Sequence, residues 1–284
     1  MIWICDTTRT SSNVHSLAEQ LYQKSTHFLS ELIQNADDNS YETSAPTLNI
    51  TFTYSNKTLR IDCNEIGFGK SNVEAICKIG RSTKASLGNT TRYIGEKGIG
   101  FKSVFKVADV VSISSGHYSF KFDKKETLGM IAPIWDEFPD FRLPNNTSVL
   151  LQLSADYDTG ELEDELKSLD PRLLMFLRKL KQINVTSYGK FGKMWRTSLG
   201  RHDAAPSLEG ASRVNLHHNA AFSSFEVIRF PVYNMPEDPK RLGCTASEIL
   251  LAFPVSPSGE PWIAPQKVYA FLPIRDHGFK VGTV

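Results

Sequence analysis

The stretch HFLSELIQNADDN, His27 to Asn39, constrains this chain more than any other. Phe28, Leu29, Leu32, Ile33 and Ala36 recur at helical spacing, which predicts a helix over residues 27–39 with one face in a core. Glu31, Asn35 and Asp38 lie four and three apart, so they share the opposite stripe. A carboxylate, an amide and a second carboxylate on one face suit three jobs. The first orders and deprotonates a water, the second lends an oxygen to Mg²⁺, and the third shapes the site. The same pattern also describes a surface helix with a solvated polar face. The rest of the chain has to decide between them.

Ser12 to Gln23 reads as a preceding helix, with Val14, Leu17, Ala18 and Leu21 at helical spacing. Thr47 to Tyr54 alternates cleanly, Ser55-Asn56-Lys57 turns the chain, and Leu59 to Cys63 returns as a partner strand. NEIGFG, Asn64 to Gly69, is a glycine-bearing turn directly after that strand. Ser71 then caps a short helix through Val73, Ile76 and Ile79. Gly80 to Arg92 is a polar loop long enough to act as a lid. Further strands are expected at Val110–Ser114, His117–Phe122, Thr147–Leu153 and Ile183–Ser187, with Asp123 to Pro144 irregular. Helices are expected at Glu161–Leu169 and Pro171–Leu180. From Gly189 to about Asn219 glycine, serine and histidine are frequent. Strands follow at Phe225–Phe230, Glu248–Phe253 and Lys267–Leu272. This change of character places a boundary near residue 189, between a first domain at 1–188 and a β-rich segment at 189–284.

Composition narrows the function classes. At 284 residues and 40% hydrophobic content the chain can bury a sizeable core. Its 32 basic and 31 acidic side chains nearly cancel, so bulk charge makes no case for nucleic acid or an anionic membrane. No stretch has the apolar length that spans a bilayer, and no signal peptide is visible at MIWICDTTRTSS. The expectation is an intracellular protein, cytoplasmic or nuclear. The four cysteines are scattered without a C-x-x-C pair, and His217-His218 has no partner ligands, so zinc has little support. Arg178, Lys179 and Lys181 read as a dipole-matched or solvated basic end.

IGEKGIGFKSVF, Ile94 to Phe105, puts Gly95, Gly98 and Gly100 within six residues and opens a helix. Such a turn presents bare backbone N–H groups and a positive dipole end, both suited to phosphate. Lys97 and Lys102 flank it. The spacing is not that of a P-loop, and no βαβ unit with a following acid makes it a dinucleotide fingerprint.

The ordered set ELIQNADD, NEIGFG, IGEKGIGFKS and NTSVLLQL resembles the gyrase, ninety-kilodalton heat-shock chaperone, histidine kinase and MutL (GHKL) ATPases. It is most similar to the chaperone-like branch typified by sacsin and by NO VEIN-type plant and fungal proteins. The phrases DPRLLMFLRKL and FLPIRDHGF add to that likeness. The resemblance spans roughly residues 12–188. It implies an α+β fold of Bergerat type, a mixed, mostly antiparallel sheet covered by helices, followed by a smaller β-rich segment of truncated middle or transducer type. It also implies ATP and Mg²⁺ as cofactors. Glu31 would be the general base on the attacking water, Asn35 the Mg²⁺ ligand, and Asp38 a wall of the nucleotide pocket. Glu65 stands where the family has an aspartate on the adenine amino group, with Gly67 and Gly69 after it. This departure reaches one methylene further, and Asn64 would share the duty. Gly95, Gly98, Ile99, Gly100 and Phe101 would offer backbone to the phosphates, beside Lys97 and Lys102. Ser82 and Thr83 would sit at the base of the lid. Thr147 would join the adenine contact through its hydroxyl, although it also reads as an ordinary β-branched strand residue.

The expected function is an Mg-dependent ATP-binding domain of a chaperone-like protein, a weak ATPase if it turns over at all. Relatives of this kind usually need a basic residue from the following domain at the γ-phosphate, and the chain reads as the front end of a larger architecture. ATP, ADP and client or partner proteins are the expected partners. A non-catalytic nucleotide-sensing or scaffold domain is the alternative. A histidine kinase is less favoured, because too few residues precede His15 to build a dimerising hairpin.

Overall fold

The computed structural model describes residues 27–45, 47–77, 100–189, 193–205, 210–236, 245–256, 258–260, 262, 264–270 and 272–281. The expected helix at 12–23 and the lid-like loop at 80–92 lie outside them. Three α-helices are present among the described residues: α1 His27–Asp38, α2 Lys70–Ile76 and α3 Thr159–Lys167. Two 3-10 helices cover Phe101–Lys106 and Pro171–Met175. The strands are β1 Asn49–Ser55, β2 Thr58–Cys63, β3 Ala108–Ser115, β4 Tyr118–Asp123, β5 Ile134–Trp135, β6 Thr147–Leu153, β7 Gln182–Tyr188, β8 Met194–Ala204, β9 Ser212–His218, β10 Ala221–Tyr233, β11 Ala246–Val255, β12 Ala264–Ala270 and β13 Leu272–Val281. None of the described helices is long and apolar enough to cross a membrane.

Eleven strands form one mixed sheet in the order β11-β10-β9-β8-β7-β1-β2-β6-β3-β4-β5, and β12 pairs with β13 separately. This corrects the expected helix-covered α/β sandwich. The cause lies in β8 to β11. Thr197 and Leu199 in β8, and Val214 and Leu216 in β9, are buried at alternate positions. Ser, Arg, Asn and His fill the positions between them. A stretch that looks loop-like by composition therefore carries the period of two that a strand requires.

The chain divides into two compact units. In the unit formed by Gln23–Asp170 and Leu177–Leu199, β1 pairs antiparallel with β2 and parallel with β7. The β1–β2 hairpin turns through Asn56 and Lys57, both at positive φ, as a two-residue turn between right-twisted strands demands. Beyond β2 the ladder runs antiparallel through β6, β3 and β4. Phe52, Leu59, Ile113, Phe120, Phe122 and Leu151 are among its fully buried side chains. Asp158 caps α3 by accepting the Gly160 N–H at 2.8 Å. In the other unit β9, β10 and β11 form an antiparallel ladder. Val214, Leu216, Phe225, Val227, Leu250 and Ala252 are buried in it, and Arg213 Nε meets Glu226 Oε1 at 2.8 Å across the register.

The segment 171–180 is not the helix its composition predicts. Only Pro171–Met175 turns, as a 3-10 helix. A helix would join the N–H of Arg178 to the carbonyl of Leu174 and that of Lys179 to Met175. Instead the N–H groups of Arg178 and Lys179 go to the Asp37 carboxylate at 2.9 and 2.8 Å. The carbonyls of Leu174 and Met175 accept from Arg201 Nη1 at 3.0 Å and Arg229 Nη2 at 3.1 Å. Tertiary partners have claimed the groups that would have closed the helix.

Leu151 sits in central β6 with no exposure. Leu151→Ala should cost about 2–5 kcal/mol of stability, read as a drop in the urea midpoint with the m-value unchanged.

Candidate functional site

The site grows from α1. Its apolar stripe, Phe28, Leu29, Leu32, Ile33 and Ala36, is buried. Glu31 and Asn35 are partly exposed and lie against the backbone of Gly100. A Cβ added at Gly100 would collide with Glu31 Oε2 and stand 3.7 Å from Asn35 Nδ2. Gly100 has φ −56°, so space rather than dihedral freedom excludes a side chain there. The acid, the amide and the last of the three glycines, far apart in sequence, thus meet. His27 Nδ1 lies 3.8 Å from Glu31 Oε1, one turn back along the same face. Burial, then the Lys106 charge, lowers the His27 pKa below 6.5.

Phe101 and Lys102 follow in the 3-10 helix. Phe101 meets Phe105 edge-on at 6.4 Å. The Lys102 ammonium donates to the Met130 carbonyl and rides over the Phe122 ring at 4.8 Å. Burial pushes its pKa down. Ser82, Thr83, Gly95, Lys97, Gly98 and Ile99 lie outside the described residues.

A second group gathers at the ends of β2, β6 and β3. Register sets Cys63 opposite Thr147 and Thr147 opposite Ser115. The Thr147 and Ser115 hydroxyls pair at 2.5 Å, and Ser115 Oγ also accepts the Phe68 N–H at 2.8 Å. Gly67 has φ +90°, and a Cβ there would lie 3.4 Å from both Gly116 N and Ser115 Oγ. Glycine is therefore required at this position on conformational grounds. Gly69 precedes α2, its N–H bonded to Asn72 Oδ1 at 2.9 Å. The helix thus begins at Lys70 with Asn72 reaching back, and Ser71 is not its cap. Asn64 braces the loop. Its Oδ1 accepts the Asn49 N–H at 2.8 Å and its Nδ2 donates to the Thr47 carbonyl at 2.7 Å. Glu65 is 5% exposed, a buried carboxylate in this loop.

Tyr41 links the two groups. Its hydroxyl donates to the Ala36 carbonyl at 2.7 Å and lies 3.2 Å from Cys63 Sγ. The phenol has one proton, so the thiol is the donor in the second contact. Burial, reinforced by the Glu65 charge, pushes the Cys63 pKa up to about 12. Burial and the same thiol push the Tyr41 pKa up as well. The N–H of Ile66 bonds to the Ser40 carbonyl at 3.0 Å, which lays the Asn64–Gly69 loop alongside the end of α1.

Sequence reasoning passed over the residue that fixes α1. Asp37 is 1% exposed and accepts three consecutive backbone N–H groups: Arg178 at 2.9, Lys179 at 2.8 and Leu180 at 2.9 Å. Lys179 reciprocates, its ammonium donating to the carbonyls of Asp38, at 3.1 Å, and Asn39. The basic side chain is therefore matched to the negative end of the helix. Asp38 itself is buried beside this clamp. The signal was present in the spacing: Leu29, Ile33 and Asp37 are four apart, so Asp37 continues a line of core residues. A carboxylate there requires donors.

Residues 12–130 match the Sacsin domain family. Over 198 residues, 62% of this chain, the sequence is 37% identical to Protein NO VEIN of Arabidopsis thaliana, and the matched stretch is 7% of that protein. The two likenesses support a sacsin/NO VEIN-like family. The matched residues 12–130 contain Glu31, Asn35, Glu65, Gly67 and Gly100, while Thr147 lies beyond them.

Two outcomes follow from these environments. Cys63 should be alkylated by iodoacetamide about a thousandfold more slowly in the native protein than in urea, as read by mass mapping of the modified cysteine. The lowered His27 pKa means that the native state binds fewer protons than the unfolded chain. That contribution to stability is full above the ordinary value of 6.5 and is lost as pH falls through the lowered native value. Between pH 7 and 5.5 the wild type should therefore lose more unfolding free energy than His27→Gln, measured by urea titration at each pH.

Proposed function

We propose that this chain is a nucleotide-binding domain of GHKL type that takes ATP with Mg²⁺. The observation that carries the reading is the meeting of Glu31 and Asn35 with the backbone of Gly100. In this reading Glu31 would be a base and Asn35 an amide ligand beside Gly100, whose N–H would meet phosphate. A purine would be taken by buried Glu65 and by the group in which Gly67 lies against Ser115 and the Ser115 hydroxyl pairs with Thr147.

The residues suit a metal that arrives on the nucleotide. Among the described residues no cluster of three or more His, Cys, Asp or Glu could hold a cation. Asn35 offers one amide oxygen, and Mg²⁺ bound through phosphates and water asks little more of a protein. When bound, Mg²⁺ would neutralise charge developing on the phosphates. The chain's own residues would do the rest. Asn35 would orient the metal-bearing phosphates and Glu31 would hold a water and accept its proton. The N–H groups of Gly100 and Phe101 would donate to the phosphate tail. Glu65 would accept from the exocyclic amine of the base, with the Ser115–Thr147 hydroxyl pair fixing the edge. In a larger protein this domain would couple nucleotide state to client or partner proteins, as the chaperone-like resemblance implies.

Lys102 favours a second reading, a nucleotide sensor with little or no turnover. Its ammonium is taken by the Met130 carbonyl and the Phe122 ring. Calorimetry on the purified chain separates the readings. Mg-ATP and Mg-ADP should bind in the micromolar range, and Asn35→Ala should abolish binding. Glu31→Ala should keep binding and remove whatever slow phosphate release the wild type shows. Absence of binding at millimolar nucleotide would end both nucleotide readings.

A further inference from the structure

Glu31 and Asn35 can serve a ligand only if α1 is held at one rotation and one height against Gly100. Packing of the apolar stripe fixes the helix against the sheet but resists sliding along its axis poorly, because dispersion contacts are weak individually and not directional. Directional bonds do that work, and Asp37 makes three of them. Both carboxylate oxygens are engaged: Oδ2 by the Arg178 N–H, Oδ1 by the N–H groups of Lys179 and Leu180. The donors are rigidly placed. Leu177 and Leu180 are buried, and the N–H groups of Lys181 and Gln182 bond the Leu48 carbonyl at 2.9 and 3.2 Å as the chain enters β7. β7 in turn pairs with β1 along its whole length, from Asn49↔Gln182 to Ser55↔Tyr188. A continuous set of backbone bonds thus runs from the sheet to a single side chain on α1. Asn35 lies two residues before that side chain and Glu31 six before it, within two turns of helix.

We infer that Asp37 is a positioning residue for the candidate site: its three-bond seat on the backbone of residues 178–180 sets the register of α1 that brings Glu31 and Asn35 against Gly100. This inference rests on the nucleotide reading for its functional consequence, but its geometric content stands without a ligand. Lengthening the side chain by one methylene keeps the charge and both acceptor oxygens while moving the seat. An alanine removes the seat and leaves three buried N–H groups without their acceptor.

The test uses the whole chain with Asp37→Glu as the informative variant and Asp37→Ala as the severe one. In nucleotide-free protein the amide resonance of Gly100 should shift in Asp37→Glu, while amides of β9 and β10 keep their wild-type positions. Affinity for Mg-ATP should fall about tenfold or more, because misplacement of positioning groups by less than an ångström is felt at the ligand. Affinity for adenosine, which lacks the phosphates that Asn35 and Gly100 would meet, should stay within about twofold. A general loss of stability would weaken both ligands alike. An unchanged Gly100 resonance in a folded Asp37→Glu chain overturns the inference whatever the nucleotide does, as does an equal loss for Mg-ATP and adenosine. Wild-type protein that binds neither ligand sinks the nucleotide reading alone, and the Gly100 resonance still decides the role of Asp37. Should Asp37→Ala fail to fold, the result is read from Asp37→Glu.

Discussion

A carboxylate that loses its water needs donors in return, and the seat of Asp37 on three consecutive backbone N–H groups is the bond set on which the rest of the site depends. It joins the end of α1 to the chain just before β7 enters the sheet beside β1. Lys179 closes the arrangement from the other side through the Asp38 and Asn39 carbonyls. Donor and acceptor on each partner are both used, so the join has a direction as well as a strength. The apolar face of α1 supplies most of the burial free energy. The carboxylate decides where along the helix that burial takes place.

The second constraint is register. A strand that slips by one residue turns every side chain to the other face. The rows Cys63–Thr147–Ser115 and Asp62–Ser148–Ser114 across β2, β6 and β3 show what that register achieves. The first row meets Phe68, Gly67 and Tyr41 at the candidate base end. On the second, Ser148 donates to Asp62 at 2.6 Å, and Asp62 takes the Arg60 guanidinium. The row facing the loop and the row bracing the sheet alternate, as a period of two requires.

Much of this was legible beforehand because local pattern and tertiary role agree. β6 has the expected bounds, Thr147–Leu153, and the Asn56-Lys57 turn falls between β1 and β2. α1 ends one residue short of the expected Asn39. Glu31, Asn35 and Gly100 come together although only type and order pointed to them. What stayed hidden has physical causes. β8 and β9 are half-buried strands whose outward positions carry Arg, Ser, Asn and His, so composition masked their alternation. The bonds of Asn64 to Asn49 and Thr47 were hidden because an amide after a strand reads the same whether it faces a base or a backbone. Asp37 is hard to read from sequence because its donors lie 141 to 143 residues away, and a carboxylate on an apolar line gives no local sign of them.

The segment 171–180 carries a consequence of a different kind. PRLLMFLRKL is rich in residues that favour helix, with leucine, methionine, arginine and lysine throughout. Yet the Arg178 and Lys179 N–H groups are held by Asp37, and the Leu174 and Met175 carbonyls by Arg201 and Arg229. Local preference and tertiary demand are therefore opposed over these residues, while elsewhere in α1, β6 and the β1–β2 hairpin they coincide. In the language of energy landscapes this is localised frustration: the native fold prevails here over a strong competing conformation, through three side chains, Asp37, Arg201 and Arg229, drawn from distant parts of the chain.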